Sequence, residues 1–201
     1  MLPFPKEIGW IEVVCGSMFS GKTEELIRRV KRAVLGKQKV QVFKPRMDDR
    51  YDAEAVVSHS QLRLVSTPID RADEILGRLA AGVQVVGIDE VQFFGPEVVR
   101  VCETLADQGI RVICAGLDQD FQGRPFDPMP QLLAVAEYVT KVHAICVVCG
   151  NPANRSQRLV EVSERVMVGA ADAYEARCRR CHVPEAVEAT PPQNLELFDL
   201  L

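Results

Sequence analysis

No apolar run in this 201-residue chain approaches the roughly 20 residues that a membrane helix needs. An excess of basic charge is also missing. The 24 Lys and Arg stand against 28 Asp and Glu, a net charge of −4 that argues against general attraction to nucleic acid or to an anionic bilayer. Residues Met1 to Glu7 lack the basic-then-apolar build of a secretory signal, so a cytoplasmic protein is expected. Internal repeats and low-complexity tracts are absent. The cysteines number seven, and an odd total in such a protein speaks against a disulfide framework. What remains is an ordinary globular composition, 47% apolar and 26% charged, on a chain long enough for one good core and a small appendage.

The densest signal is Gly16, Ser17, Met18, Phe19, Ser20, Gly21, Lys22 and Thr23, a complete phosphate-binding loop. Its flanks suit that reading. The run Ile11 to Cys15 reads as a buried strand, and Leu26, Ile27, Val30, Ala33 and Val34 recur at helical spacing up to a stop at Gly36. Glycines let backbone amides curl around a polyphosphate while Lys22 neutralises its β/γ charge. Thr23 offers a hydroxyl to Mg²⁺, and the helix N-terminus adds its positive end. The motif predicts binding of a nucleoside triphosphate.

Further strands are predicted at Lys39–Phe43, Val83–Ile88 and Ile110–Ala115, with a short one at Leu62–Val65. Helices are predicted over 70–81 and over 97–108, the latter closed by Gly109. Such alternation implies βαβ units and a parallel sheet covered on both faces. The strand ending at Ile88 runs into Asp89-Glu90, and in open α/β sheets ligands sit beyond the carboxyl ends of the strands. Asp89 is therefore expected near Lys22 and Thr23, where it can hold Mg²⁺, with Glu90 poised to take a proton from a nucleophile.

The character changes near residue 143, where polar turns, short β-like pieces such as Arg158–Val162 and two CxxC pairs begin. Cys146/Cys149 and Cys178/Cys181 can each clamp a metal from one knuckle, and together they complete a four-thiolate site. A closed site of that kind leaves no open position, so the zinc is read as structural, fixing the ends of the loop over 150–177. His182 directly follows Cys181 and is an alternative fourth ligand. Cys15, Cys102 and Cys114 lie in apolar runs and read as small buried hydrophobes.

Taken together these residues resemble the zinc-containing type II thymidine kinases, whose nucleoside site is closed by a lasso loop. The resemblance covers about residues 10–183. It is carried by the phosphate loop with its Met-Phe-Ser core, by Lys44–Tyr51, by Asp89-Glu-Val-Gln-Phe-Phe94, by Leu117–Phe126 and by Gly169–His182. The chain departs from the family in having Ala170 after Gly169 and in lacking a glycine after His59, so His59 reads as a surface or hydrogen-bonded histidine.

The resemblance implies a RecA-like P-loop α/β domain over 1–142, a parallel sheet flanked by helices. It adds a zinc-stabilised lasso domain over 143–190 and a tail over 191–201. It implies transfer of the ATP γ-phosphate to the 5′-hydroxyl of thymidine, and of deoxyuridine, with Glu90 as general base. Residues 16–23 and Asp89, Glu90, Val91 and Gln92 would bind the phosphates, with Asp48 and Arg50 beside them. Met18, Phe93, Leu117, Phe121, Phe126 and Tyr174 would enclose the nucleoside. A homotetramer inhibited by dTTP is also implied. The competing class, a P-loop ATPase with a zinc ribbon that binds nucleic acid, has the basic cluster Arg177–Arg180 in its favour and the net acidic charge against it.

Overall fold

The computed structural model describes residues 8–46, 55–57, 63–160 and 173–184. Strand β1 (Trp10–Cys15) is buried on both faces: Ile11, Val13 and Cys15 enter one hydrophobic cluster and Val14 another. Helix α1 (Lys22–Leu35) buries Leu26, Ile27, Val30 and Ala33 and ends at Gly36, where the spacing predicts. The chain continues through β2 (Val40–Pro45), the antiparallel pair β3 (Ala55–Val57) and β4 (Arg63–Val65), and β5 (Thr67–Ile69). Helix α2 (Glu74–Gly77), β6 (Val85–Ile88), α3 (Glu97–Asp107) and β7 (Arg111–Gly116) follow, then α4 (Met129–Val135) and β8 (Tyr138–Lys141).

Six of these strands form one parallel sheet in the order β5-β2-β6-β7-β1-β8. Helix α1 covers one face, packing Leu26, Ile27 and Val30 against Val14, Val42, Val85 and Ile113. The other face carries α3 and α4 through Val98, Val101, Leu105, Met129 and Leu132. Gly87 interrupts an otherwise apolar strand for a packing reason. A Cβ there would sit 3.2 Å from Val42 and 3.4 Å from Leu26, so the missing side chain lets α1 lie close on the sheet. Among the described residues no helix is long and apolar enough to cross a membrane.

Two expectations need correction. The helix expected over 70–81 is only the four-residue α2. Its continuation is diverted by the Gln41 amide, whose Nε2 donates to the Arg78 carbonyl at 2.9 Å and whose Oε1 accepts from Ala80 N–H at 3.1 Å. Those backbone groups are thereby withdrawn from helical pairing. Of the piece expected at 158–162, Arg158 closes β11 (Arg155–Arg158), antiparallel to β12 (Tyr174–Arg177), Leu159 and Val160 lie beyond the strand, and residues 161–162 lie outside the described residues. Between β8 and β11 sits a short hairpin of β9 (Ala144–Ile145) and β10 (Pro152–Ala153). These small strands have their own cluster of Ala144, Cys146, Ala153, Ala176 and Cys178.

One buried ionic network ties the sheet to α1. Glu12 accepts from Trp10 Nε1 at 2.8 Å, from Arg111 Nε at 2.6 Å and from Arg29 Nη1 at 2.7 Å, and Arg29 reaches on to Thr140. Burial pushes the Glu12 carboxyl up, but these hydrogen bonds and the two guanidinium charges outweigh it and leave it below its ordinary range. A carboxyl whose pKa is lower folded than unfolded adds stability above the unfolded value, about 4.3, and loses it as pH falls through the folded value. Glu12→Gln is therefore expected to cost on the order of 2 kcal/mol at pH 7, because half-buried Arg111 loses its carboxylate partner and Arg29 keeps only Glu25. Melting temperatures of variant and parent should converge below pH 4, a trend that calorimetry across pH checks.

Candidate active site

All six strands of the sheet point the same way, so their carboxyl ends share one edge. There the loop after β1 meets the loops after β6 and β7. The phosphate loop turns on two unusual conformations, Phe19 at φ 62° and Gly21 at φ 84°. Gly16 is needed for close approach, since a Cβ there would meet the Val142 carbonyl at 2.3 Å. Lys22 is buried and its Nζ donates to the Ser17 carbonyl at 2.8 Å. Burial pulls its ammonium pKa down, while the nearby Glu90, Asp89 and Asp118 charges favour the protonated form.

The Thr23 hydroxyl lies 3.3 and 3.4 Å from the two Asp89 carboxylate oxygens, which brings the predicted magnesium ligands together. Burial, then the adjacent Glu90 charge, pushes the Asp89 carboxyl up to about 7. A cation among these oxygens would relieve that cost, and hard oxygen donors of this kind suit Mg²⁺. Glu90 itself occupies the left-handed region at φ 49° and ψ 40°. For a non-glycine residue that conformation costs of order 1–3 kcal/mol, a cost commonly found where chemistry is done.

Gln92 explains how Glu90 is held. Its Nε2 donates to the Glu90 carboxylate at 2.6 Å, and its Oε1 accepts from the Leu117 N–H at 3.0 Å. Gln92 is buried and so links the acid to the segment after β7. The Val91 side chain is fully buried in the core, which leaves only its backbone for a phosphate. Phe19 is 38% exposed on the outside of its loop. Asp48 and Arg50, and His59, lie outside the described residues.

The residues expected around a nucleoside gather beside this edge. Phe93 and Phe126 meet edge to face with centroids 5.8 Å apart. Phe121 lies under the guanidinium of Arg158, whose Cζ is 3.6 Å from the ring centroid. The Tyr174 hydroxyl accepts from Arg158 Nη2 at 3.0 Å, and a phenol that accepts can still donate its own proton. Met18 N–H donates to Ser156 Oγ at 3.0 Å, and the Ser17 hydroxyl donates to the Ala153 carbonyl at 3.4 Å. The small strands therefore dock directly on the phosphate loop.

The sequence gives no site role to Arg158, Ser156 or Asp118. Strand β11 is buried along its whole length yet reads Arg155-Ser-Gln-Arg158, and that polarity hides it from any search for apolar alternation. Asp118, two residues after β7, pairs with Lys141 Nζ at 2.5 Å, while its Oδ1 is buried without a hydrogen-bond partner among the described residues.

The four predicted cysteines converge. Their sulfurs all lie within 4.8 Å of one another, and Cys149 is 3.6 Å from both Cys178 and Cys181. Zinc–sulfur bonds of about 2.3 Å in a tetrahedron separate sulfurs by about 3.8 Å, so the cluster fits a four-thiolate zinc. Each knuckle is closed by backbone bonds, Gly150 N–H to the Cys146 carbonyl at 2.8 Å and Cys181 N–H to the Cys178 carbonyl at 3.1 Å. The Asn151 side chain donates to Cys149 Sγ at 3.3 Å, a hydrogen bond that favours the thiolate a metal requires. His182 is turned away from the cluster, with Nε2 at 2.7 Å from the Phe121 carbonyl.

Comparison with known proteins agrees with this geometry. A family profile described as thymidine kinase matches residues 9–182. A thymidine kinase of Rhodothermus sp. is 62% identical over 183 residues, covering 91% of this chain and 85% of its own length. A thymidine kinase of Bdellovibrio bacteriovorus is 59% identical over 177 residues, covering 88% and 87%.

Proposed function

This chain belongs to the thymidine kinase family, and from that premise we propose that it transfers the γ-phosphate of ATP to the 5′-hydroxyl of thymidine. The observation that carries the mechanism is the meeting of Thr23 with Asp89 beside a Glu90 held by Gln92. In this reading the loop amides and Lys22 hold the triphosphate, with Asp48 and Arg50 beside it. Thr23 and Asp89 would hold Mg²⁺, which when bound offsets charge on the transferring phosphoryl group. Glu90 accepts the 5′-hydroxyl proton as the oxygen attacks phosphorus, and ADP leaves with the pair of electrons from the broken bond.

The base lies among Met18, Phe93, Leu117, Phe121 and Phe126, with Tyr174 hydrogen-bonding the nucleoside as residues 143–190 close over it. Deoxyuridine is accepted more weakly, because one methyl group in an apolar pocket is worth only about 1–3 kcal/mol. dTTP, which carries both the base and a triphosphate, inhibits by spanning both subsites. The enzyme works as a cytoplasmic homotetramer. A thermal-shift panel of nucleosides in the presence of ADP tests the substrate class. Thymidine should raise the melting temperature while adenosine and cytidine do not; absence of a shift with every nucleoside would refute this reading.

A further inference from the structure

His182 is used neither by the zinc cluster nor by the phosphate loop, yet it sits at the junction of both functional modules. We propose that His182 is a positioning residue that sets Phe121, and through it Arg158 and Tyr174, for nucleoside binding; this rests on the thymidine site proposed above. A backbone carbonyl can only accept, so the 2.7 Å contact with the Phe121 oxygen requires the proton on Nε2. The histidine is itself fixed to the knuckle, because its backbone N–H donates to the Cys178 carbonyl at 3.0 Å. One residue on, Val183 N–H donates to Gln157 Oε1 at 2.8 Å, and Gln157 is fully buried in β11.

These contacts close a circuit. From the knuckle, His182 reaches the Phe121 backbone, and the Phe121 ring supports the Arg158 guanidinium at 3.6 Å. Arg158 donates to the Tyr174 hydroxyl at 3.0 and 3.3 Å, and Tyr174 is four residues before Cys178 on the same strand exit. The turn that carries Phe121 is organised locally by Asp120, whose Oδ1 accepts from the Gln122 and Arg124 amides at 2.9 and 3.0 Å. That local order shapes the turn but cannot fix its distance from β11. His182, together with the Arg155–Gln119 side-chain bond, supplies the tie to the small strands.

The test compares His182→Ala with His182→Gln, whose side-chain amide can still donate to the carbonyl. The alanine variant should raise KM for thymidine about tenfold, the upper range for one lost neutral hydrogen bond. Its kcat, its KM for ATP and its single zinc per chain should stay within twofold of the parent. Hydrogen exchange should speed up at the amides of residues 119–124 and 126 in the alanine variant, with or without nucleoside, and the glutamine variant should restore both readouts. Parental exchange in the alanine variant would overturn the proposal. So would equal defects in both variants with lost zinc, since the residue would then act through the knuckle alone. If exchange responds as stated while the parent enzyme shows no thymidine saturation, the substrate reading fails and the positioning role stands.

Discussion

Glu90→Gln is expected to lower kcat for thymidine by about 10³-fold, within the range of 10² to 10⁴ for loss of a positioned general base. Glutamine is nearly isosteric and its carbonyl oxygen can still accept from Gln92 Nε2, which reaches the native carboxylate at 2.6 Å. The strained backbone at φ 49° belongs to the turn rather than to the side-chain charge, so the fold should persist. What the variant loses is the capacity to take a proton. Nucleotide affinity should change little, because Lys22 and the loop amides are untouched. Steady-state kinetics with a melting curve separate the possibilities. A parental kcat would remove Glu90 from the role of base, and a melting temperature lowered by many degrees would make the kinetics uninformative about it.

Removing the zinc, by chelation or by Cys178→Ser, should have the second large effect. Structural zinc contributes folding energy outright to small modules, with apparent values of about 10–16 kcal/mol in zinc-finger peptides. Here the apolar cluster of the small strands has five buried residues, all alanine or cysteine, and shares none of them with the two clusters that flank the sheet. That little apolar surface cannot replace a metal. The sheet domain should therefore stay folded, with far-UV dichroism largely kept, while β11 and β12 lose their register. Since Arg158 and Tyr174 pair across those strands, thymidine kcat/KM should fall at least about 100-fold, as misplacement of binding groups by an ångström can do. Unchanged thymidine kinetics after verified zinc loss would contradict the role given to this module.

The parts of the site that were legible in the sequence are the local ones. A strand, a glycine loop and a helix in succession fix the phosphate site within 26 residues (35 − 10 + 1), and a strand ending in Asp89-Glu90 fixes the facing acids. Two CxxC pairs announce a metal through spacing alone. The edge strands escaped because they are short or half-exposed: β5 has three residues including Pro68, and β8 shows Tyr138 and Val139 to solvent. Helix α2 was read too long because Gln41, 37 residues away from Arg78 in the chain, captures its backbone. The Phe121–Arg158–Tyr174 stack joins residues up to 53 apart (174 − 121), and no periodicity encodes such a contact. Gln92 stood inside a recognised motif, but its bond to Leu117 exists only once β6 and β7 lie side by side.

Thymidine is expected to accept phosphate at the edge where Thr23 meets Asp89 and Glu90. Incubation with γ-labelled ATP and Mg²⁺, once with thymidine and once with 5′-deoxythymidine, checks this. Label should appear in thymidine 5′-monophosphate in the first reaction, and no labelled nucleotide should form in the second, which lacks the accepting hydroxyl. Release of labelled inorganic phosphate at the same rate in both, with no labelled nucleoside monophosphate in either, would contradict phosphoryl transfer to the nucleoside.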